Sequence, residues 1–454
     1  MVLAADISRA FYAVNTAQSS ADVTEHLHTL IVDALACILG GSDSEIVRIA
    51  GQAAGAAAPG PGRATILPGG PAATPADAAL VNGTMLRSLD FMDVYVDADV
   101  SHPSESVPAA LACAEAFGAR GRDFLDSLLA AFTLHAHLAG TVALHRNGLH
   151  HVGHAAWVVP LIAARLSGQD EAAAANALNL SASGFIVPEG FSRGHVANVK
   201  AMAFPLIAKH AIELAELGTV GLAAQPGACE EVADLLSRIT GTDLDPAALV
   251  PPQEASRVRA ITLKAYPAQY ALQPLVAAAA AFHRAEAPRL GAITRIVVRA
   301  ARQTVARTAD PAKFKPASRE AADHSLPFCV ASGLIDGGLT AEALHRGRWR
   351  DADILRLTGM MEVEPLGSGE GFAVGHQSID LTFADGSSTS LDCVYPAEGT
   401  TWRRIACDKL ATFAAGRCDA GRVVAAVEAL EDAASVGPLV AALRGQGATR
   451  AQAS

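Results

Sequence analysis

Lysine is nearly missing from this chain. Only Lys200, Lys209, Lys264, Lys313, Lys315 and Lys409 stand among 35 basic residues, and none precedes residue 200. Against that arginine background a retained lysine draws attention, because a compact ammonium shifts its pKa when buried. A basic balance is missing too. The net charge is −11, which argues against nucleic acid as a partner, since phosphate binding needs clustered cations. Cysteine pairs are absent: Cys37, Cys113, Cys229, Cys329, Cys393, Cys407 and Cys418 show no Cys-x-x-Cys spacing. Neither a disulfide framework nor a zinc ribbon is expected, and a reducing cytoplasm is. The opening MVLAADISRAFYAVNT has no basic stretch leading into a long apolar core, so no signal peptide is expected. The longest largely apolar run, Phe124 to Leu144, is broken by Thr133, His135 and His137 and falls short of a membrane span.

What is present is apolar and helical. Apolar residues make up 51% of the 454 and charged residues 18%, which implies a well-buried globular chain with more than one core. Alanine, the strongest helix former, dominates. Ser19 and Asp22 have capping-box spacing, and Leu27, Leu30, Ile31, Ala34, Leu35 and Ile38 form one stripe ended by Gly40-Gly41. Further helices are predicted over 74–88, 104–117, 154–167, 170–183 and 205–217. PGPGRATILPGGPAATP reads as a connector with one short strand. Near residue 258 the texture changes. ITRIVVRAAR alternates like a strand, and SIDLTFADGSSTSLDCVYP reads as a hairpin turning at Asp385-Gly386. HSLPFCVASGLIDG and TAEALHRG read as helical. The expected fold is mainly α: a large all-helical domain over 1–259, a smaller α/β domain over 260–395, and a helical segment over 396–454 packing back on the first.

Several stretches carry chemistry. Asp90, Asp93, Asp97 and Asp99 crowd ahead of His102, where Pro103 and Pro108 start a helix. A solvated acidic loop has this composition, and so does a catalytic loop on a rigid scaffold. HRNGLHHVGHAAW supplies His145, His150, His151 and His154. His150 and His154 are four apart, so on a helix they would share a face and hold a metal with Asp90 or Asp97. The fuller expectation is that one or two of these histidines do acid/base work. Lys200 precedes a helix and, with Arg193 and His195, makes a carboxylate site at its positive end. Lys264 lies at the domain junction, where ligands commonly bind. PGPGR and GSGEGF lack the strand-turn-helix context of a phosphate loop and read as plain loops.

In order, these pieces resemble the MmgE/PrpD family, which includes 2-methylcitrate dehydratase, cis-aconitate decarboxylase and iminodisuccinate epimerase. The resemblance rests on LDFMDVYVDADVSHPSESVPAALACAEAFG, GLHHVGHAAWVVPLIAARLSG, VKAMAFPLIAKHAIELAELG, ITLKAYPAQYALQPLVAAAAAF and HSLPFCVASGLIDG. It implies a helical domain with a smaller α/β lid, a homodimer, and chemistry on a small di- or tricarboxylate without metal or organic cofactor. It implies active-site roles for Asp90, His102, His150, Lys200 and Lys264, with Arg193 and His195 beside the substrate. Three positions depart from the family pattern: Val94 replaces a threonine, Gln269 a histidine and Phe328 a tyrosine. These changes in substrate-facing groups shift the expectation from decarboxylation of cis-aconitate towards dehydration of another polycarboxylate, or epimerisation. A metallohydrolase built on His150 and His154, and a binding protein without activity, are the rival expectations.

Overall fold

The computed structural model describes residues 2–54, 63–192, 197–366, 376–396 and 399–445. The helices of the first part are α1 (Val2–Ala13), α2 (Ala21–Gly41), α3 (Glu45–Ala53), α4 (Pro75–Ser88), α5 (Val107–Phe117), α6 (Gly121–Thr141), α7 (Ala155–Leu166), α8 (Glu171–Ser181), α9 (Ala203–Thr219) and α10 (Ala228–Thr240). They share one hydrophobic core. At its centre α2 packs on α4 and buries the whole stripe from Leu27 to Ile38. Among the described residues α2 is the one helix long and apolar enough to cross a membrane, and it is mostly buried inside the protein. Its N-cap is Ser20, and Ser19 instead donates its hydroxyl to the Asn15 carbonyl at 3.0 Å. The capping box read from Ser19 and Asp22 therefore does not form.

The Pro/Gly-rich connector holds two strands rather than one. β1 (Ala64–Thr65) pairs antiparallel with β2 (Ala72–Ala73). A second small hairpin, β3 (Tyr95–Val96) and β4 (Val100–Ser101), shapes the Asp-rich loop. PGPGR lies mostly, and GSGEGF wholly, outside the described residues. Helix α4 shows why these elements end where they do. Thr74 caps it by accepting the Asp77 N–H at 3.1 Å, and Pro75 takes the first helical position, where its missing N–H is harmless. Its last turn carries Arg87, and the chain leaves through Asp90, whose φ is +49°.

A second core gathers residues 268 to 383. Here α11 (Gln273–Glu286), α12 (Arg302–Thr308), α13 (Arg319–Ala322), α14 (Leu326–Asp336), α15 (Ala341–His345) and α16 (Ala352–Thr358) accompany a four-stranded sheet. Its strands are β5 (Ile293–Ala301), β6 (Met361–Leu366), β7 (Ser378–Phe383) and β8 (Ser388–Asp392), in the order β6-β5-β7-β8. β5 and β6 run parallel, and the other pairs are antiparallel. Ile379, Leu381 and Phe383 face the buried side, where Phe383 meets Phe282 of α11. On the other side Arg295 and Arg299 pair with Glu362, Glu364 and Asp380. β6 has no counterpart among the strands read from the sequence.

After residue 399 the chain returns to the helical core as α17 (Trp402–Ala414), α18 (Ala420–Glu428) and α19 (Gly437–Arg444). α17 lies along α2 and contributes Ile405, Ala406 and Leu410 to that core. The fold is thus mainly α with a smaller α/β domain. The chain leading into and out of the second unit is tied to the helical core. Val94 and Thr262 exchange N–H···O bonds of 2.8 Å each, and the Tyr395 hydroxyl donates to the Leu263 carbonyl at 2.6 Å.

Candidate active site

A cavity of about 530 Å³ lies between the helical core and the α/β unit. Asp90, Val94, His102, His150, Lys200, Lys264 and Gln269 all line it. Four sequence-distant segments thus converge on one space.

Asp90 is the centre of charge. Its carboxylate bridges two ammonium groups, Lys264 Nζ at 3.1 Å and Lys200 Nζ at 3.3 Å. Lys264 also donates to the Asp90 carbonyl at 2.6 Å. Burial pushes the Asp90 carboxyl up, but the two ammonium groups outweigh it and hold the pKa well below the usual carboxylate range. Lys264 is 1% exposed, and its own pKa is lowered by burial against the pull of Asp90. Asp90 is also the one described non-glycine residue with a positive φ. Such strain persists only where surrounding contacts impose it, and here two lysines do.

The aspartate-rich run is not a solvated loop. Asp90, Asp93 and Asp99 are buried, and Asp97 alone among the four is exposed, pairing with Arg257. Asp93 accepts both the Ser104 hydroxyl, at 2.5 Å, and the Ser104 N–H. Burial pushes its carboxyl up to about 8 against those bonds. Asp99 accepts the His145 ring at 2.5 Å and the His145 N–H at 2.8 Å.

The histidines sort by their bonds. His102 Nδ1 lies 2.5 Å from the Asp93 carbonyl, an acceptor only, so the ring proton sits on Nδ1 and Nε2 is the basic atom. His150 Nδ1 accepts the Val152 N–H at 3.2 Å, so its proton sits on Nε2. Burial, with nearby cations, holds both rings well below the ordinary histidine pKa, so both are neutral at pH 7. His150 and His154 do not share a helix face, because residues 151–154 form a single 3-10 turn. His154 points instead into the protein, with Nδ1 3.3 Å from the Ser101 hydroxyl. Gly153 permits that turn: a Cβ there would stand 2.0 Å from the Phe185 carbonyl oxygen.

The metal reading therefore moves to a different trio. Donor atoms of His145, His150 and His151 lie within 4.8 Å of one another. The trio fits a cation poorly, since the Nδ1 acceptor role of His150 leaves Nε2 protonated rather than free to ligate.

Other predicted positions fall elsewhere. Phe328 does not reach the cavity. It lies in the first turn of α14 in the second core with its ring edge-on to Trp349, because the Ser325 cap fixes that turn and aims the side chain inward. Val94 lines the cavity with an aliphatic surface. Gln269 lines it while its side-chain oxygen caps the Ala271 N–H at 2.8 Å. Arg193 and His195 lie outside the described residues.

Residues that sequence reasoning passed over also line the cavity. His324 of the α/β unit sits 3.0 Å from Lys200 Nζ, and its other nitrogen bonds Asp323. An Asp-His dipeptide heading the Ser-Leu-Pro helix start was the available signal. Arg87 lies one helical turn before Asp90 and faces Glu105 at 3.1 Å, both side chains fully buried. Glu105 in turn lies 3.7 Å from His151. Nothing in the sequence pairs Arg87 with Glu105, since they belong to different helices.

Fold and site together describe a two-unit, mainly helical protein with a buried acid/base pocket rich in lysine. Family models agree. Residues 5–248 match the MmgE/PrpD N-terminal domain and residues 266–408 the MmgE/PrpD C-terminal domain. The chain belongs to the MmgE/PrpD family. Among curated proteins it is similar to human cis-aconitate decarboxylase, with 28% identity over 338 residues. That match covers 69% of this chain and 66% of the relative, just under two thirds of its length.

Proposed function

We propose that this chain is a cofactor-independent lyase that removes a proton α to a carboxylate of a small di- or tricarboxylate, and then expels water or carbon dioxide. The observation that supports this furthest is the Asp90 carboxylate bridging Lys200 and Lys264 in the cavity that His102 and His150 also line. Removing the α-proton leaves enolate-like charge on the carboxylate oxygens. Lys200 and Lys264 are placed to stabilise that charge beside the buried Asp90. His102, basic at Nε2, takes the proton. The proton taken by His102 passes to the departing hydroxyl, which the Nε2–H of His150 steadies by donating a hydrogen bond. The Cα–H and C–O bonds break, a double bond forms, and water leaves. In the decarboxylating variant the abstracted proton returns to the substrate, the C–C bond to a carboxylate breaks with its electron pair left on carbon, and a second proton, taken from solvent, quenches that pair. The cavity volume suits a small polyacid. With the reading go a homodimer, a cytoplasmic location, and no nucleic-acid or membrane partner.

His324 favours a second reading, epimerisation. It enters from the α/β unit while His102 belongs to the helical core. Inverting a carbon centre takes a base on one face and an acid on the other. Val94 and Gln269, which lack the hydroxyl and imidazole expected there, point away from decarboxylation of cis-aconitate.

The test is incubation in deuterated water with a panel of polycarboxylates, read by proton NMR. Exchange with loss of water supports the lyase, and exchange with racemisation supports the epimerase. His102→Gln should cut either rate at least about 100-fold. Neither exchange nor turnover with any compound would leave a binding protein. Stoichiometric zinc in protein purified without a histidine tag would favour the metallohydrolase.

A further inference from the structure

Among the described residues, five full cations line the cavity: Arg87, Lys200, Lys264, Arg307 and Lys313. Four are paired. Arg87 faces Glu105, Lys200 and Lys264 share Asp90, and Arg307 meets Glu189 at 3.2 Å. Lys313 is different. It is 5% exposed, and among the described residues its ammonium has no hydrogen-bond or salt-bridge partner.

The carboxylates beside it are already engaged. Asp310 accepts the Ala312 N–H at 3.0 Å, capping the short turn Pro311–Phe314. Asp323 is bonded to His324. The turn itself is held firmly, because the Lys313 carbonyl accepts the Ser325 hydroxyl at 2.5 Å, and Ser325 caps α14. A buried, unpaired ammonium is unfavourable unless an anion joins it. Burial lowers the Lys313 pKa against the pull of Asp310 and Asp323.

We infer that Lys313 is the receptor for a substrate carboxylate on the α/β side of the cavity, distinct from the carboxylate held at Lys200 and Lys264. The inference rests on the polycarboxylate reading above and adds a residue that selects for the number and spacing of carboxylates. A substrate carrying the additional group completes the ion pair that the protein leaves open. One without it leaves the ammonium unpaired, and discrimination follows.

Calorimetric binding of propane-1,2,3-tricarboxylate and of glutarate, which lacks the central carboxylate, tests it on wild type, Lys313→Met and Lys313→Arg. Wild type should prefer the tricarboxylate by about 10-fold or more. Lys313→Met should erase that preference, and Lys313→Arg should retain most of it. The ligand-free melting temperature separates a binding role from a structural one. Removing an unpaired buried charge should leave Tm unchanged or raise it, whereas a structural lysine would lower it. Unchanged affinities in folded Lys313→Met, or a lowered Tm in both variants with the preference intact, would overturn the inference and leave the polycarboxylate reading standing. No binding of either probe to wild type would overturn both.

Discussion

Glu105 shows how one buried side chain sets a pH dependence. Its carboxyl is fully buried, and burial pushes the pKa up to about 7 in spite of Arg87. The charges around it come from several elements: Arg87 on α4, His151 on its turn, Asp90 in the loop, and Lys200 and Lys264 across the cavity. The folded chain therefore keeps a proton that the unfolded chain has lost. The stability this gives is complete below about 4.5 and is lost as pH rises through about 7. Asp93, raised to about 8, acts in the same direction. The buried histidines act oppositely, but only below their ordinary value of 6.5. Between roughly pH 6.5 and 8 the carboxyls are thus isolated. The wild-type Tm should fall across that window, and Glu105→Gln should fall less. Equal slopes would refute the assignment. At this scale the sequence was legible where a residue type is rare. Scarce lysine pointed to Lys200 and Lys264, and both reach the cavity. It was silent on Glu105, because burial of a carboxyl is a property of the folded neighbourhood. It was misleading on Phe328, whose orientation depends on the Ser325 cap.

Elements are held in place by the same economy of lysine. Lys409 on α17 is buried. It donates to Asp33 of α2 at 2.5 Å and to the Phe91 carbonyl at 2.8 Å, with its ammonium 3.9 Å from the Phe91 ring centre. A C-terminal helix thereby pins the residue next to Asp90. Lys409→Met alone would leave Asp33 buried and unpaired, at about 3–5 kcal/mol. Joining it to Asp33→Leu should restore most of that, because the uncompensated charge goes too. Urea denaturation of the two variants measures the difference, and an equal loss in both would contradict the pairing. Helix positions were readable from apolar spacing alone, as with α4, expected over 74–88 and found at Pro75–Ser88. The β7–β8 hairpin was readable from Asp385-Gly386, with Gly386 at φ +83°. β6 was not, because its burial follows no clean alternation and its pairing with β5 is a parallel contact across some sixty residues. The turn at 151–154 defeated helical spacing, since Gly153 must approach Phe185.

For the whole molecule the sign of the field is the open contest. The net charge of −11 repels a polyanion at long range, while the unpaired Lys313 and the lysine pair attract it within the cavity. Raising salt from about 10 to 150 mM shortens the screening length from about 30 to 8 Å. If the cavity dominates, propane-1,2,3-tricarboxylate should bind more weakly at the higher salt. Tighter binding would mean that the overall charge governs capture. The chain enters the α/β unit past Thr262 and Leu263 and leaves it at Tyr395, whose hydroxyl grips Leu263. Entry and exit are therefore stapled side by side, so both ends of the α/β unit are anchored to the helical core along a single seam.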